Sequence, residues 1–189
     1  MSRRSLSGVA VVALAAAAVA LIGTALDREG HNLPLTEAGV IREQAAAKHL
    51  DPALIAAVIY AETKFDPRPS PAGAQGLMQI LPATAYYLAQ LSGGRRFTAS
   101  DLATPTVNVA YGSYYLRYLL DHYNGNEMLA VAAYNGGLAN VDSWVARASA
   151  SGRQLTVGAI PFAETRAYVQ RVLAAQRAYR ATYPSQLGL

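Results

Sequence analysis

Few side chains in this 189-residue chain can do chemistry. There are 12 acids, three histidines and no cysteine. The lack of cysteine removes thiolate nucleophiles, disulfides and Cys-based zinc sites. His31, His49 and His122 are scattered, so no metal cluster suggests itself and no cofactor is expected. Glu62 is the acid in an unusual setting. It closes the apolar run LIAAVIYA at 54–61, one helical turn beyond Val58 and Ile59. Burial there disfavours the carboxylate, and the negative end of the helix dipole pushes the same way. A carboxyl kept protonated near neutral pH is a general acid. Taken alone the feature is weak, because most glutamates at a helix end are solvated.

The elements that must position Glu62 read as helices. No segment alternates apolar and polar residues for more than a few positions, so the expected class is all-α. Asp51-Pro52 opens the Glu62 helix, with Asp as N-cap and Pro at the first helical position. Asp66-Pro67 stops it near Lys64. Residues 66–76 (DPRPSPAGAQG) are a loop. Thr36 is expected to cap an earlier helix carrying Val40, Ile41 and Ala45. Pro82 opens a helix to about Leu91, broken by Ser92-Gly93-Gly94. Further helices are expected over 106–122, 127–134, 140–148 and 162–182. The length fits one domain, and 52% apolar residues can fill its core.

The N-terminus differs from the rest. Arg3 and Arg4 precede an uncharged, mostly apolar run to Leu26. That is the pattern of a secretory signal peptide, with Ala18-Val19-Ala20 as a cleavage site, or of an uncleaved membrane anchor. Positive charge before the run puts the remainder outside the membrane. Residues 1–26 are therefore assigned to signal or anchor, 27–35 to a linker and 36–189 to one folded domain. The expected location is the cell envelope, outside the cytoplasm. The formal charge is +4, too small for a nucleic-acid binder as the default.

The residues after Glu62 carry a more specific signal. Positions 54–85 read LIAAVIYAETKFDPRPSPAGAQGLMQILPATA. Three more blocks come in order: PTVNVAYGSYYLRYL at 105–119, AVAAYNGGLANVDSW at 130–144 and IPFAETRAYVQRV at 160–172. Together they resemble the soluble-lytic-transglycosylase family, related to goose-type lysozyme, across roughly residues 36–183. The resemblance implies a lysozyme-like helical domain with a cleft for peptidoglycan glycan strands, its expected partner. Nothing demands more than a monomer.

The resemblance also implies roles. Glu62 would protonate the glycosidic oxygen between N-acetylmuramic acid and N-acetylglucosamine. It would then act as base on the C6 hydroxyl of the muramyl residue, giving a 1,6-anhydro sugar with no water consumed. Ser70 would orient the muramyl N-acetyl group or Glu62. Gln79 and the backbone of Leu77 and Met78 would line the cleft. Tyr134 would place its hydroxyl near the reacting centre, Asn135 would shape the site, and Glu164 would face the cleft. The block around Asn108 would be mainly architectural. One acid suffices if the sugar's own N-acetyl oxygen attacks the anomeric carbon.

A hydrolytic muramidase would instead need a base to activate water. The acids to consider are Asp66, Asp101, Asp121, Asp142 and Glu164, and none reads as a dedicated water base. A wall-binding module with a dead site is the alternative from another class. Thr63 stands where the family usually has Ser, and the gap from Glu62 to Ser70 is one residue shorter than usual. Trp144 reads as a core anchor more readily than as a sugar platform. Arg166 pairs with an acid or contacts the peptide stem. His122 reads as a helix C-terminal residue. The 12 tyrosines are mostly half-buried core, and the remainder offer flat faces that suit sugar rings.

Overall fold

The computed structural model describes residues 33–93 and 97–189. The segment read as signal or anchor, and the linker up to residue 32, lie outside the described residues. Eight α-helices are described: α1 (Ala38–Lys48), α2 (Pro52–Thr63), α3 (Pro82–Ser92), α4 (Pro105–His122), α5 (Glu127–Gly136), α6 (Leu138–Ala150), α7 (Ala163–Thr182) and α8 (Pro184–Leu187). Two short 3-10 turns, Ala99–Ala103 and Val157–Ala159, join them. Among the described residues the β structure is a single antiparallel bridge between Gln75 and Ile80. No helix among them is long and apolar enough to cross a membrane.

α2 is the axis of the core. Every residue from Ala53 to Ile59 is buried, as expected of a helix that is apolar all round. Asp51 Oδ1 accepts from the Ala53 amide at 2.9 Å, the N-cap that the sequence indicates. Its other oxygen reaches across to α7. Gln176 Nε2 donates to Oδ2 at 2.6 Å, and Arg180 Nη2 lies 3.0 Å from it. α7 therefore runs antiparallel along α2, anchored where α2 begins. α5 packs on both α4 and α7. Trp144 is 4% exposed and meets Phe162 edge-on, so it is the core anchor that the sequence suggests.

Three local features differ from expectation. Thr36 does not cap α1; Glu37 does, in a left-handed conformation and without a side-chain bond. α2 is stopped by Lys64 and Phe65, both left-handed with φ of 51° and 63°, before Asp66-Pro67 is reached. The chain thus turns away immediately after Glu62. α5 continues through Gly136, past the expected break, because positive φ is first needed at Gly137 (φ 85°).

The loop after α2 is tied down by a buried amide. Asn108 on α4 is fully buried. Its Oδ1 accepts from the Met78 amide at 2.8 Å. Its Nδ2 donates to the carbonyls of Gln75 (2.8 Å) and Leu102 (3.1 Å). Gly76 sits against it; a Cβ there would fall 2.2 Å from Asn108 Nδ2. Removing the amide strands three backbone groups. Asn108→Ala is expected to cost about 3 kcal/mol and to lower the melting temperature by about 6–12 °C. Thermal unfolding followed by circular dichroism checks this; a change within about 1 °C would contradict it.

Candidate active site

Glu62 lies in the last turn of α2, half-buried. The opposing helix supplies its hydrogen bond: Tyr168 of α7 donates its hydroxyl to Glu62 Oε1 at 2.7 Å. Arg171, one turn further along α7, points its Nη1 at the Ala61 carbonyl, 3.4 Å away. Burial pushes the Glu62 carboxyl up to about 7; the Tyr168 bond and the charge of Arg171 pull it down and are outweighed. Tyr168 and Tyr134 are themselves held well above the usual phenol range, first by burial and then by the Glu62 charge. Both hydroxyls are therefore neutral donors at any physiological pH.

A cleft of about 410 Å³ opens over this acid, lined by Ala61, Glu62, Thr63, Lys64, Asp66, Arg68 and Gln79. The loop that returns beside it is tied through its backbone. The Thr63 hydroxyl donates to the Leu77 carbonyl at 2.8 Å, so the residue that replaces the family's usual Ser pins the loop to α2. Tyr134 donates to the Met78 carbonyl at 2.9 Å. Gln79 is left-handed (φ 47°), an uncommon state for a side-chain-bearing residue. Its amide Nε2 donates to the carbonyls of Arg68 (3.0 Å) and Gly76 (2.9 Å), which holds the strained turn in place.

The remaining residues singled out in the sequence take these positions. Met78 has a fully buried side chain, packed so tightly on α4 that a Cβ at Gly112 would lie 2.3 Å from its Sδ. Its two backbone groups are those bonded to Asn108 and Tyr134. Ser70 belongs to a turn: its Oγ accepts from the Ala74 amide at 2.9 Å, and it is Tyr168 that holds Glu62. Asn135 accepts from the Thr165 hydroxyl at 2.8 Å, joining α5 to α7. Glu164 is exposed in the first turn of α7, four residues before Tyr168 and so on the same side of the helix. Arg166 donates through Nη1 to the Ile160 carbonyl at 2.9 Å.

Four of the five further acids already have structural partners. Asp66 pairs with Arg68 at 2.6 Å and Asp121 with Arg117 at 2.7 Å. Asp101 accepts from the Thr98 amide at 2.8 Å. Asp142 takes His122 Nε2 at 2.9 Å and the Tyr123 hydroxyl at 3.0 Å. No group of acids and histidines among the described residues could hold a metal ion. Sequence reasoning assigned no role to Tyr168 or Arg171. Both stand inside the IPFAETRAYVQRV block, and their spacing of four and seven from Glu164 puts all three along one side of α7.

The chain is similar to known proteins over most of its length. The transglycosylase SLT domain family matches residues 39–157, and the soluble lytic transglycosylase helical domain matches 159–189. The chain belongs to the transglycosylase SLT domain family. It is 31% identical over 165 residues to the soluble lytic murein transglycosylase of Escherichia coli K12, covering 85% of this chain and 25% of that protein. It is 29% identical over 182 residues to the membrane-bound lytic murein transglycosylase C of Salmonella paratyphi B, covering 85% of this chain and 49% of that one. Among solved structures, the 70 kDa soluble lytic transglycosylase of E. coli superposes with a TM-score of 0.74 at 31% identity, over 79% of this chain and 25% of that one. An inactive Glu-to-Gln mutant of the Pseudomonas aeruginosa enzyme gives 0.73 at 32% identity, over 79% and 24%. The SLT chain spans about a quarter of the first of these relatives.

The raised Glu62 carboxyl carries a stability consequence. In the unfolded chain it titrates near 4.5 and in the folded one near 7. Below the lower value both states are protonated. Between the two, the unfolded state releases its proton first, so stability falls as pH rises and levels off above the folded value. Glu62→Gln should leave stability near pH 4 almost unchanged. Near pH 8 it should add about 1–2 kcal/mol, discounted for partial exposure, or about 3–6 °C. Melting curves at the two pH values check it; equal shifts at both would contradict the burial of the acid.

Proposed function

We propose that the chain is a lytic murein transglycosylase of the cell envelope, with Glu62 as acid and then base. The observation that supports this reading best is a carboxyl lifted to about 7 beside a glycan-sized cleft, in a chain of the SLT family. Such a group is protonated often enough to give a proton and ionised often enough to take one back.

No water enters the reaction. Glu62 gives its proton to the oxygen linking N-acetylmuramic acid to N-acetylglucosamine, and the bond from that oxygen to the muramyl anomeric carbon breaks. The muramyl N-acetyl oxygen bonds to the anomeric carbon and spreads the positive charge. The Glu62 carboxylate then takes the proton of the C6 hydroxyl, and O6 displaces the N-acetyl oxygen. The products are a free 4-hydroxyl on one sugar and a 1,6-anhydro ring on the other, with Glu62 protonated again. The Tyr168 hydroxyl stabilises the carboxylate stage, when a hydrogen-bond donor matters most. Ser70, Gln79, Tyr134, Asn135 and Glu164 are proposed to shape the substrate's path. Met78 is proposed to act through its backbone.

A hydrolytic muramidase is the second reading, favoured by Asp66, which lines the same cleft. Its pairing with Arg68 and its exposure weigh against it as a water base. Mass spectrometry of purified wall glycan digested by the full chain separates the two. Anhydro ends, lighter by one water than reducing ends, are expected. Glu62→Gln should lower the rate by about 10²–10⁴-fold. Reducing ends would establish hydrolysis instead. Tyr168→Phe removes a bond that lowers the Glu62 carboxyl, so the alkaline limb of its pH–rate profile should move upward by about half a unit to one unit. A shift downward would contradict the role given to that hydroxyl.

A further inference from the structure

A second cavity, of about 440 Å³, opens at the end of α6, and its lining shares no residue with the Glu62 cleft. Its size falls within the range of about 300–1,000 Å³ in which small ligands are held. Trp144, Leu155 and Pro161 give it apolar walls, and Arg147, Arg153 and Thr156 give it a polar side. Phe162, which packs edge-on against Trp144 with ring centroids 4.9 Å apart, is 48% exposed. Apolar surface is therefore open beside the cavity as well as within it.

The turn after α6 is what brings the two arginines to one place. Gly152 is left-handed, with φ of 65°. Its amide donates to the Ser149 carbonyl at 2.9 Å, and the Arg153 amide donates to the Ala148 carbonyl at 3.0 Å. These are the paired bonds of a Schellman motif, which needs glycine at its left-handed position. The chain thus reverses and sets Arg153 beside the last turn of α6, where Arg147 stands. A cation in that turn complements the helix dipole, which accounts for Arg147 and not for Arg153. Among the described residues that line the cavity none is acidic. Arg147 donates to the Ser143 hydroxyl at 2.7 Å, and neither guanidinium has a carboxylate of the described chain as partner. Two like charges on one cavity repel, and an anion between them relieves that repulsion.

We propose that this cavity binds a short acidic peptide, with its carboxylate held by Arg147 and Arg153 and an apolar side chain against Trp144 and Leu155. A bare inorganic anion would leave the apolar walls unused. A neutral sugar would leave both guanidiniums unpaired. An acidic peptide with an apolar neighbour satisfies both sides, and Thr156 offers its hydroxyl to the peptide backbone. No residue of the Glu62 site takes part, so the proposal stands apart from the cleavage reading.

Trp144 is the single tryptophan of the chain, so its indole N–H resonance reports binding without a label elsewhere. The test titrates the full chain with acetyl-Leu-Glu-Ala-amide, with its neutral counterpart acetyl-Leu-Gln-Ala-amide, and with inorganic phosphate. The acidic peptide should shift the indole resonance and bind at least fivefold more tightly than either other probe. Arg147→Gln and Arg153→Gln should each weaken it by about fivefold or more. Arg177→Gln, which alters an exposed arginine of α7 outside the cavity, should leave the affinity unchanged. The variants alter exposed side chains, and an unchanged indole resonance before titration shows that the fold is kept. No shift with the acidic peptide overturns the proposal, as does equal binding of the neutral peptide. Phosphate binding as tightly as the acidic peptide overturns it too, since the site would then take a bare anion. An equal loss in Arg177→Gln would mean attraction by overall charge and would also overturn it.

Discussion

The structure turns on keeping one carboxyl out of water without giving it a full counter-charge in contact. Glu62 sits at the end of a helix whose residues from Ala53 to Ile59 are all buried. Its direct partner is a neutral phenol rather than a cation. Arg171 acts only as a weaker field, which leaves burial the largest influence and the carboxyl near 7. A salt bridge in the place of Tyr168 would have pulled it back towards the ordinary carboxylate range. The same apolar residues that make α2 the axis of the core thus set the proton affinity of its last turn. Stability and chemistry draw on one stretch of chain, and they conflict above neutral pH.

The surrounding architecture supports that arrangement. Asp51 ties the start of α2 to Gln176 and Arg180 of α7, and Tyr168 meets Glu62 at the other end. Two antiparallel helices fastened at both ends define where the phenol falls on the carboxyl. Left-handed Lys64 and Phe65 turn the backbone away at once, which leaves the acid at a cleft rather than under a continuing helix. Asn108, Thr63, Tyr134 and the amide of Gln79 then hold the returning loop through its carbonyls and amides. The loop beside the cleft is consequently fixed by side chains from other elements, a rigid base for a site.

Much of the helical frame was legible in the sequence because its signals are local. Asp51-Pro52 marked the start of α2, Pro82 that of α3, and the apolar spacing of 54–59 marked burial. Glu62 was legible because its burial follows from that same run. The signals that failed were those set by distant contacts. Thr36 carries a capping side chain that the backbone at Glu37 does not use. Tyr168 and Arg171 had no local mark, because their relation to Glu62 arises only when α7 folds back along α2.

The most direct test of the central claim is the proton affinity of Glu62 itself. Carbon-13 labelling of the glutamate side-chain carboxyls, with the Glu62 resonance assigned by its loss in Glu62→Gln, lets its titration be followed by NMR in the intact chain. An inflection close to 7 is expected, clearly above the other glutamates. An inflection near 4.5 would mean that water or a cation neutralises the burial, and Glu62 would then be an ordinary carboxylate unable to serve as the acid.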